Sequence, residues 1–479
     1  MANDLIPIQN FNLGGLADSK FSGTKNSFYK LTGFDMHSQP GLLKVAQKLT
    51  AETGTVPSEL CRVAVNSSNG AQYWFSYTSG KIWERPTTGT WRLVHTTTPA
   101  AGTAGCLGAA EYQGYIYWAT QSRLHRITVA HADDNNWAAN AVEDWATFSI
   151  TDTAFHPMIN HTAQQILYIG DGNYLAQVDA GVFTADALDI ATPLRIKSLG
   201  EIGTDVLLGT YVASTITQTE IIRWNGWSVS FTSSDKIPEV GINAFLPADN
   251  YVFVQAGLAG NIYVYNGTAL ELYRKIPGDY SPTKYGSVYP DSVANYHGEI
   301  LFGFSNGSGN PTDQGVYRIA RSSRNYPYIL DFPYPISQRS GDDLVITGVE
   351  MGAILVVGND LFAAWKNGTS YGVDKLDWTT KLSGAYLETR VATTNREQFF
   401  NVSKFVVAYE TMPENCSVAI QYSRNHDDYA DTTEVKDTDR KIILSESEGL
   451  EANTIQTKWT MTTSGNNAPT IESGGIFLR

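Results

Sequence analysis

Apolar residues along this chain fall in short runs rather than in helical stripes. Residues 249–270, DNYVFVQAGLAGNIYVYNGTAL, hold two such runs, YVFV and IYVY, joined by a Gly-rich link. Short β-branched and aromatic runs bounded by Gly, Asn and Asp predict two strands of a hairpin. The pattern returns along the chain, in QYWFSYTSGKIWER (72–85), YIYWATQSRLHRI (115–127), ILYIGDGNYLAQV (166–178) and VLLGTYVASTITQTEIIRW (206–224). After 251–265 it continues as ILFGFSNGSGNPTDQGVYRI (300–319) and ILVVGNDLFAAW (354–365). Successive copies start about 40–55 residues apart, a spacing that marks a repeat architecture.

A lone hairpin cannot bury both its faces, and a strand-rich unit of about 40–50 residues fits one four-stranded propeller blade. Blades around an axis share a continuous core, and closing the ring protects the edges of the end sheets. The pattern therefore predicts an all-β chain with a six- or seven-bladed β-propeller over 51–378. The hairpins would be the inner strands of each blade, and segments such as GWSVSFTS (226–233) and TWRLVHTT (90–97) the outer ones. A β-sandwich array or one irregular β-domain would alternate in the same way, and no Trp-Asp dipeptide or double-Gly signature marks each copy.

The ends break the spacing. Residues 1–50 form an N-terminal arm whose segment NSFYKLTGFDMHSQPGLLKV (26–45) contains the turn signal Pro40-Gly41 and then a short Leu-Leu strand. Such an arm would pack on, or complete, the first blade, with Gly14-Gly15 and the Ser/Thr/Lys-rich 18–26 mobile until something holds them. Over 379–479, AYLETRVATT (385–394), SKFVVAYETM (403–412), CSVAIQYSRN (416–425), KIILSESE (441–448), TIQTKWTMTT (454–463) and GGIFLR (474–479) predict strands. Roughly six strands in about 100 residues suit a C-terminal antiparallel β-sandwich-like domain.

At 479 residues the chain exceeds one ordinary core, and 42% hydrophobic with 17% charged residues is the composition of a soluble globular protein. The opening MANDLIPIQN lacks a basic region followed by an apolar one, so no secretory signal is expected. No run reaches the roughly 18 apolar residues needed to cross a bilayer, so membrane insertion is not expected. Cys61, Cys106 and Cys416 are scattered without ligand spacing and read as buried thiols in a reducing compartment. Asn266-Gly267-Thr268 and Asn367-Gly368-Thr369 then read as Asn-Gly turns rather than glycan acceptors. A net charge of −14 gives no general pull on phosphate backbones, which disfavours gripping DNA but not lying beside it.

Chemical motifs are sparse. The sequence contains no Gly-x-Ser-x-Gly elbow, phosphate-binding loop or His-Glu-x-x-His. His156 and His161, in HPMINH, are separated by a proline and read as polar residues of an inter-blade loop rather than a metal pair. Trp74, Trp83, Trp118 and Trp224 could stack on sugars, but within strands they read as core. The acidic stretch HDDYADTTEVKDTD (426–439) reads as a solvated loop, calcium binding being the alternative; it lacks the ordered spacing of calcium loops. A propeller glycosidase would need paired carboxylates in a central funnel, and SRNHDDYAD (423–431) is the nearest approach to a sialidase turn, without its Gly and Trp. These readings assign no catalytic, cofactor-binding or metal-binding residue.

The arm with NSFYKLTGFDMHSQPGLLKV, the propeller-like repeats and the AYLETRVATTN…VSKFVVAYETMPENCSVAIQYSRNHDD region together resemble the tail-nozzle (tail hub) proteins of tailed bacteriophages. That group includes the packaged-DNA stabilisation proteins. The likeness lies in the Asp35 to Leu42 segment, in Leu387-Glu388-Thr389 and in Ala419 to Ser423; after Tyr-Ser, where relatives often have Asp-Gly, this chain has Arg424, Asn425 and His426. The resemblance implies a non-enzymatic virion component without cofactors. It would be a ring of self-associated subunits, six in number, in the tail or head–tail passage, assembled in the host cytoplasm. Its partners would be the portal, an adaptor or other tail proteins, with double-stranded DNA passing through the lumen without specific binding. The arm 1–30 and the C-terminal domain would supply the contacts, the alternative being that both merely cap the propeller. Two rival readings stand beside it: a host-receptor or carbohydrate-binding module on the same scaffold, and a propeller glycoside hydrolase or lyase.

Overall fold

Each apolar hairpin of the sequence lies within a four-stranded antiparallel meander. The computed structural model describes residues 5–133, 136–151, 153–212, 218–281, 283–306, 313–338, 348–393, 399–432, 436–437 and 441–478. Among these, successive four-stranded sheets occupy 61–96, 108–147, 158–189, 194–237 and 242–275. Strands Val293–Tyr296, Glu299–Asn306, Gly315–Ala320 and Ile329–Pro335 form a further meander inside a larger sheet. Strands Val349–Val357, Asp360–Asn367 and Ser370–Lys381 form the next, and their fourth strand is Gln47–Ala51 from the N-terminal region.

The first strands pack on one another in a cycle. Cys61–Asn66 lies against Gly108–Tyr112, and the series runs on through Met158–His161, Leu194–Ile202, Ile242–Pro247, Val293–Tyr296 and Val349–Val357, which returns to Cys61–Asn66. This is the arrangement of a β-propeller. Burial follows from it. Second strands such as Gln72–Ser76, Ile166–Asp171 and Val252–Ala256 are buried on both faces because a sheet packs on each side. Outer strands such as Arg92–Thr96 are half exposed. Separate apolar clusters fill the gaps between neighbours, Phe75 with Trp118 in one, Tyr168 with Trp224 in another, Cys61 with Phe362 at the seam. Each fully buried Leu, Ile or Phe there contributes about 1.5–3 kcal/mol.

The hairpins are therefore the middle strands of the meanders, not the innermost. Two innermost strands (GAAEY, MINH) are short and carry few large apolar residues, and backbones approach closely beside several of them. A Cβ at Gly108 would lie 1.7 Å from the His156 carbonyl oxygen, and one at Gly352 2.1 Å from that of Cys61. In the last meander the quoted hairpin is the first and second strand, since the N-terminal strand supplies the fourth. TWRLVHTT does contain an outer strand, Arg92–Thr96, but GWSVSFTS does not: the outer strand there is Ser233–Ile237. Two short helices, Val129–Asp133 and Trp137–Asn140, interrupt the second sheet.

The two chain ends are interwoven. Phe28–Thr32 pairs antiparallel with Ala385–Thr389 and meets Ile329–Pro335 in parallel at Thr32 and Phe332. The sheet then continues through Thr454–Thr462 and Ser417–Arg424. A second sheet joins Phe34–Asp35, Leu43–Val45, Thr470–Leu478, Phe400–Tyr409 and Lys441–Ala452, with Leu5–Ile8 on Thr470–Leu478. Inner faces of both sheets share one apolar cluster, in which Phe405 of the second stacks on Tyr422 of the first at 5.7 Å between centroids. The arm thus closes the last meander rather than the first blade. Segment 14–28 is held within the chain: Leu16 N–H donates to the Leu330 carbonyl at 2.7 Å and Ala17 N–H to that of Phe28 at 2.7 Å. Pro40-Gly41 is the expected turn, with Gly41 at φ 89° between Phe34–Asp35 and Leu43–Val45.

Candidate functional site

Side chains from four of the meanders, with Phe155 and Tyr289 from the crossings between meanders, meet where the first strands converge. Arg62 of Cys61–Asn66 lies between the rings of Tyr77 and Tyr289, 3.4 and 3.8 Å from their centroids. Its Nη2 donates to Tyr289 Oη at 2.6 Å and to Glu350 Oε2 at 3.0 Å. Glu350, on Val349–Val357, also accepts from Lys366 Nζ at 2.8 Å. Lys197, on Leu194–Ile202, donates to Asn243 Oδ1 at 2.5 Å and stands 5.1 Å from the Phe155 ring centroid. Asn243 in turn donates to Gln255 Oε1 at 2.7 Å and to the Gly257 carbonyl at 2.6 Å. Gln255 Oε1 also accepts from Val288 N–H at 3.2 Å, which ties in the crossing that leads to Asp291.

Enclosure sets the charges. Burial, then repulsion from Arg62, brings the Lys197 ammonium down to about 8. Burial pushes the Asp291 carboxyl up to about 7. Burial would raise Glu350 too, but hydrogen bonds from Lys366 and Arg62 hold it below the usual carboxylate value. Two carboxyls driven apart in one polar centre are the arrangement that acid–base chemistry uses. The space beside these groups is small. The cavity beside Arg62, Tyr77, Phe155, Tyr289 and Asp291 measures about 20 Å³, room for one water and far below a sugar ring. Arg62 itself is wedged between two aromatic faces, a contact worth about 2 kcal/mol when desolvated. The hydrogen bonds and ring contacts of this cluster tie successive sheets to one another, as an axial clamp.

The residues singled out in the sequence lie elsewhere. Trp74, Trp83, Trp118 and Trp224 are all buried, as core. His156 precedes Met158–His161 and is buried between two meanders, its Nδ1 2.7 Å from the Gly170 carbonyl and its Nε2 3.1 Å from that of Gln121. Burial takes it down to about 4, against the two carbonyls that favour the charged ring. His161 ends that strand, also buried, its Nδ1 accepting from Gln164 N–H at 3.2 Å. Cys61 and Cys106 are buried free thiols, while Cys416 is half-buried rather than buried as expected. Asn266 caps its own turn, accepting from the Thr268 and Ala269 N–H groups at 3.0 and 2.8 Å.

Of the acidic stretch, 433–435 and 438–440 lie outside the described residues, and Tyr429 donates to Glu388 Oε2 at 3.2 Å. No His/Cys/Asp/Glu group suited to a metal occurs among the described residues, and no described helix is long and apolar enough to cross a membrane. The clamp was missed in the sequence. Its one signal was a cation within a first strand, Arg62 in CRVAV and Lys197, next to Arg195, in LRIKSL.

No family model matches this chain, and no curated protein matches it. Among solved structures it is similar to a streptogramin B lyase, at 10% identity and TM-score 0.44, over 69% of this chain and 97% of the other. It is similar to virginiamycin B lyase from Staphylococcus aureus at 9% identity and TM-score 0.44, over 69% and 99%. The extracellular domain of the putative hybrid two component system BT4673 from B. thetaiotaomicron matches at 13% identity and TM-score 0.46, over 77% of this chain and 44% of that one. At these identities and scores the likenesses carry no argument about activity.

Proposed function

We propose that this chain is a non-enzymatic structural subunit of a tailed-bacteriophage virion. Six copies would form a ring in the tail nozzle or head–tail passage that helps retain packaged DNA and guides its ejection. In this reading the propeller has seven blades, the last closed by Gln47–Ala51, and the two remaining sheets form an antiparallel sandwich completed by N-terminal strands.

The observation that carries the proposal is the interweaving of the chain ends. The N-terminal region closes the last meander through Asp374–Ala51, Lys375–Thr50 and Leu376–Leu49 pairs, and Leu5–Ile8 lies on the final strand. Such a body opens only by breaking whole ladders of hydrogen bonds, which suits a part that bears load. The axial clamp supports the same reading, since DNA would then run between copies and not through a propeller. Charge supports it as well. The outer edge that includes Val182–Asp189 exposes Asp179, Asp186 and Asp189 with no Lys or Arg in that strand, and a face of this sign repels phosphate and lets DNA slide.

The test is the mass of the purified chain alone and with portal and adaptor proteins, followed by cryo-electron microscopy of the assembly. A ring of six copies at the tail end supports the proposal. A chain that stays monomeric with all virion partners and degrades a polysaccharide, or binds a glycan on an array, overturns it. If the acidic edge faces the lumen, Asp179→Asn/Asp186→Asn/Asp189→Asn slows genome release, and unchanged ejection kinetics count against that placement.

A further inference from the structure

Three large apolar side chains of one loop stand in solvent. In WNGWSVSFTS, Trp227 is 76% exposed, Val229 99% and Phe231 36%. The loop leaves Thr219–Trp224 and rejoins its sheet at Ser233–Ile237. It is braced. Asn225 Oδ1 accepts from the N–H groups of Trp227 and Ser228 at 3.0 and 2.9 Å, and Asn225 Nδ2 donates to Ser228 Oγ at 2.9 Å. Trp224 Nε1 donates to the Ser228 carbonyl at 2.8 Å, and Gln164 Nε2 to the Asn225 carbonyl at 2.7 Å. Ordering that a binding loop normally costs is thus already met in the free protein. Exposed Trp on a rigid support is the side chain that most often anchors a protein contact.

Beside this knob a cleft of about 320 Å³ opens between the 194–237 and 242–275 sheets. Glu201, Ile202, Arg223, Asn250 and Tyr251 are among its walls. Knob and cleft share a scaffold: Arg223 directly precedes Trp224, and Glu201 accepts from Thr162 N–H at 2.7 Å in the same turn that carries Gln164. The cleft suits an indole. Ile202 and Tyr251 supply apolar surface, and Arg223, held by Asp205 and by the Gly267 carbonyl at 3.3 Å, supplies a planar cation for stacking. Of the charges there, Arg223 is paired with Asp205 and Asp249 with Arg321, and Glu201 accepts from Thr162 N–H and Oγ1 at 2.7 and 3.1 Å.

A knob beside its own matching cleft makes a self-complementary patch, which is what a two-fold contact requires. At 150–250 Å² for a whole aromatic side chain, the three exposed side chains offer roughly 400 Å² per copy. Full burial of both knobs, with a matching area lost from the surface of each mate in and around the cleft, would remove roughly 1,600 Å² in total, the size of a standard stable interface. We propose that this face docks a second copy of this chain about a two-fold axis, each Trp227 entering the cleft of its mate. The contact goes beyond the ring and would use a surface of its own.

The test is sedimentation of the full chain between about 1 and 100 µM, a range that resolves micromolar association. The wild-type protein is expected to pair. Trp227→Ser/Val229→Ser, and separately Asn250→Trp, which fills the cleft, are expected to weaken pairing by roughly thirtyfold or more. Both variants should keep the wild-type melting temperature, since all three positions are exposed. A wild-type chain monomeric throughout, or variants that pair as well as the wild type, overturns the proposal. So does saturable binding of a saccharide or a lipid vesicle at Trp227 in a chain that does not pair. An assembly of six that both variants leave intact, with no species of two, refutes the pairing and leaves the ring reading standing.

Discussion

Removing the charge of Arg318 is expected to release the N-terminal strands from the 293–335 meander. Arg318 lies on Gly315–Ala320 with its side chain 2% exposed. Nε and Nη2 donate to the two oxygens of Asp331 at 3.1 and 2.6 Å, and Nη1 donates to those of Glu299 at 3.1 and 3.0 Å. Nη1 also stands 3.5 Å from Asp35 Oδ1, and Nη2 3.4 Å from the Phe34 carbonyl, both on the arm strand Phe34–Asp35. Burial opposes the guanidinium charge, but the three carboxylates hold its pKa well above the ordinary value. Burial opposes the Asp35 charge too, yet Arg318 and hydrogen bonds from Ser38 and His37 bring it down to about 2.

Arg318→Met leaves Asp331, 1% exposed, as a buried carboxylate without its cation, a loss of about 3–5 kcal/mol. Glu299 and Asp35, 22% and 28% exposed, can turn to water and add little. Arg318→Met/Asp331→Leu removes both members of the buried pair and should regain most of the loss, because apolar replacement of a whole pair is close to neutral. Urea unfolding measures the stability. Hydrogen exchange of amides 34–45 measures the latch, and should quicken roughly a hundred- to a thousandfold in the single variant only. A loss below about 1 kcal/mol for Arg318→Met would equate this cluster with an exposed ion pair and refute the reasoning. A double variant as unstable as the single one would show that lost packing, not stranded charge, is the cost.

His125 should make stability fall between about pH 6.5 and 4. Its Nδ1 accepts the Asp144 N–H at 3.0 Å, which requires the neutral ring, and burial takes it down to about 4. The unfolded chain binds the extra proton across that window, so stability present above it is lost as pH falls, by up to about 3 kcal/mol; His156, brought equally low, adds to the same fall, so His125→Gln should lessen the slope of the urea-midpoint profile there without abolishing it. Gly474→Ala should cost about 1–3 kcal/mol by overpacking, since its Cβ would stand 2.2 Å from Trp459 Cη2, whereas at Gly475 the nearest atom is the mobile Leu5 Cδ1 at 2.6 Å and the melting temperature should move less. A thiol reagent should titrate Cys416 in the native protein and all three cysteines only after unfolding, burial having raised Cys106 to about 12 and Cys61 well above its ordinary value.

The hairpins were legible because their middle strands are buried on both faces, and that demands continuous apolar runs such as ILYIG and YVFV. Innermost strands such as GAAEY and MINH were not, because they are short and backbones approach closely beside them, as at Gly108, so the continuous apolar run is missing. Strand pairings between distant segments leave no local trace either. Nothing in QKLTA (47–51) says that its partner is Ser370–Lys381, or in FYKLT that its partner is AYLET. WSVSF alternates as an exposed-edge strand should, yet Asn225 turns the chain out of the sheet with two hydrogen bonds that its own side chain supplies. There, local side-chain chemistry overrode the alternation.

The two buried polar centres are alike in where they occur. Arg62 stands where first strands converge, and Arg318 where the arm strand crosses onto a meander. At both, backbone carbonyls or aromatic faces from separate segments come too close for branched apolar side chains to interlock. A planar guanidinium, thin in one direction and able to donate from five hydrogens, can fill such a slot and bind several segments at once. Its directional contacts also fix which segment meets which, a specificity that apolar packing alone leaves loose. On this argument Arg62→Lys, which keeps the charge but loses the plane, should loosen the axis nearly as much as Arg62→Met. A lysine variant with wild-type stability would show that charge alone holds the clamp.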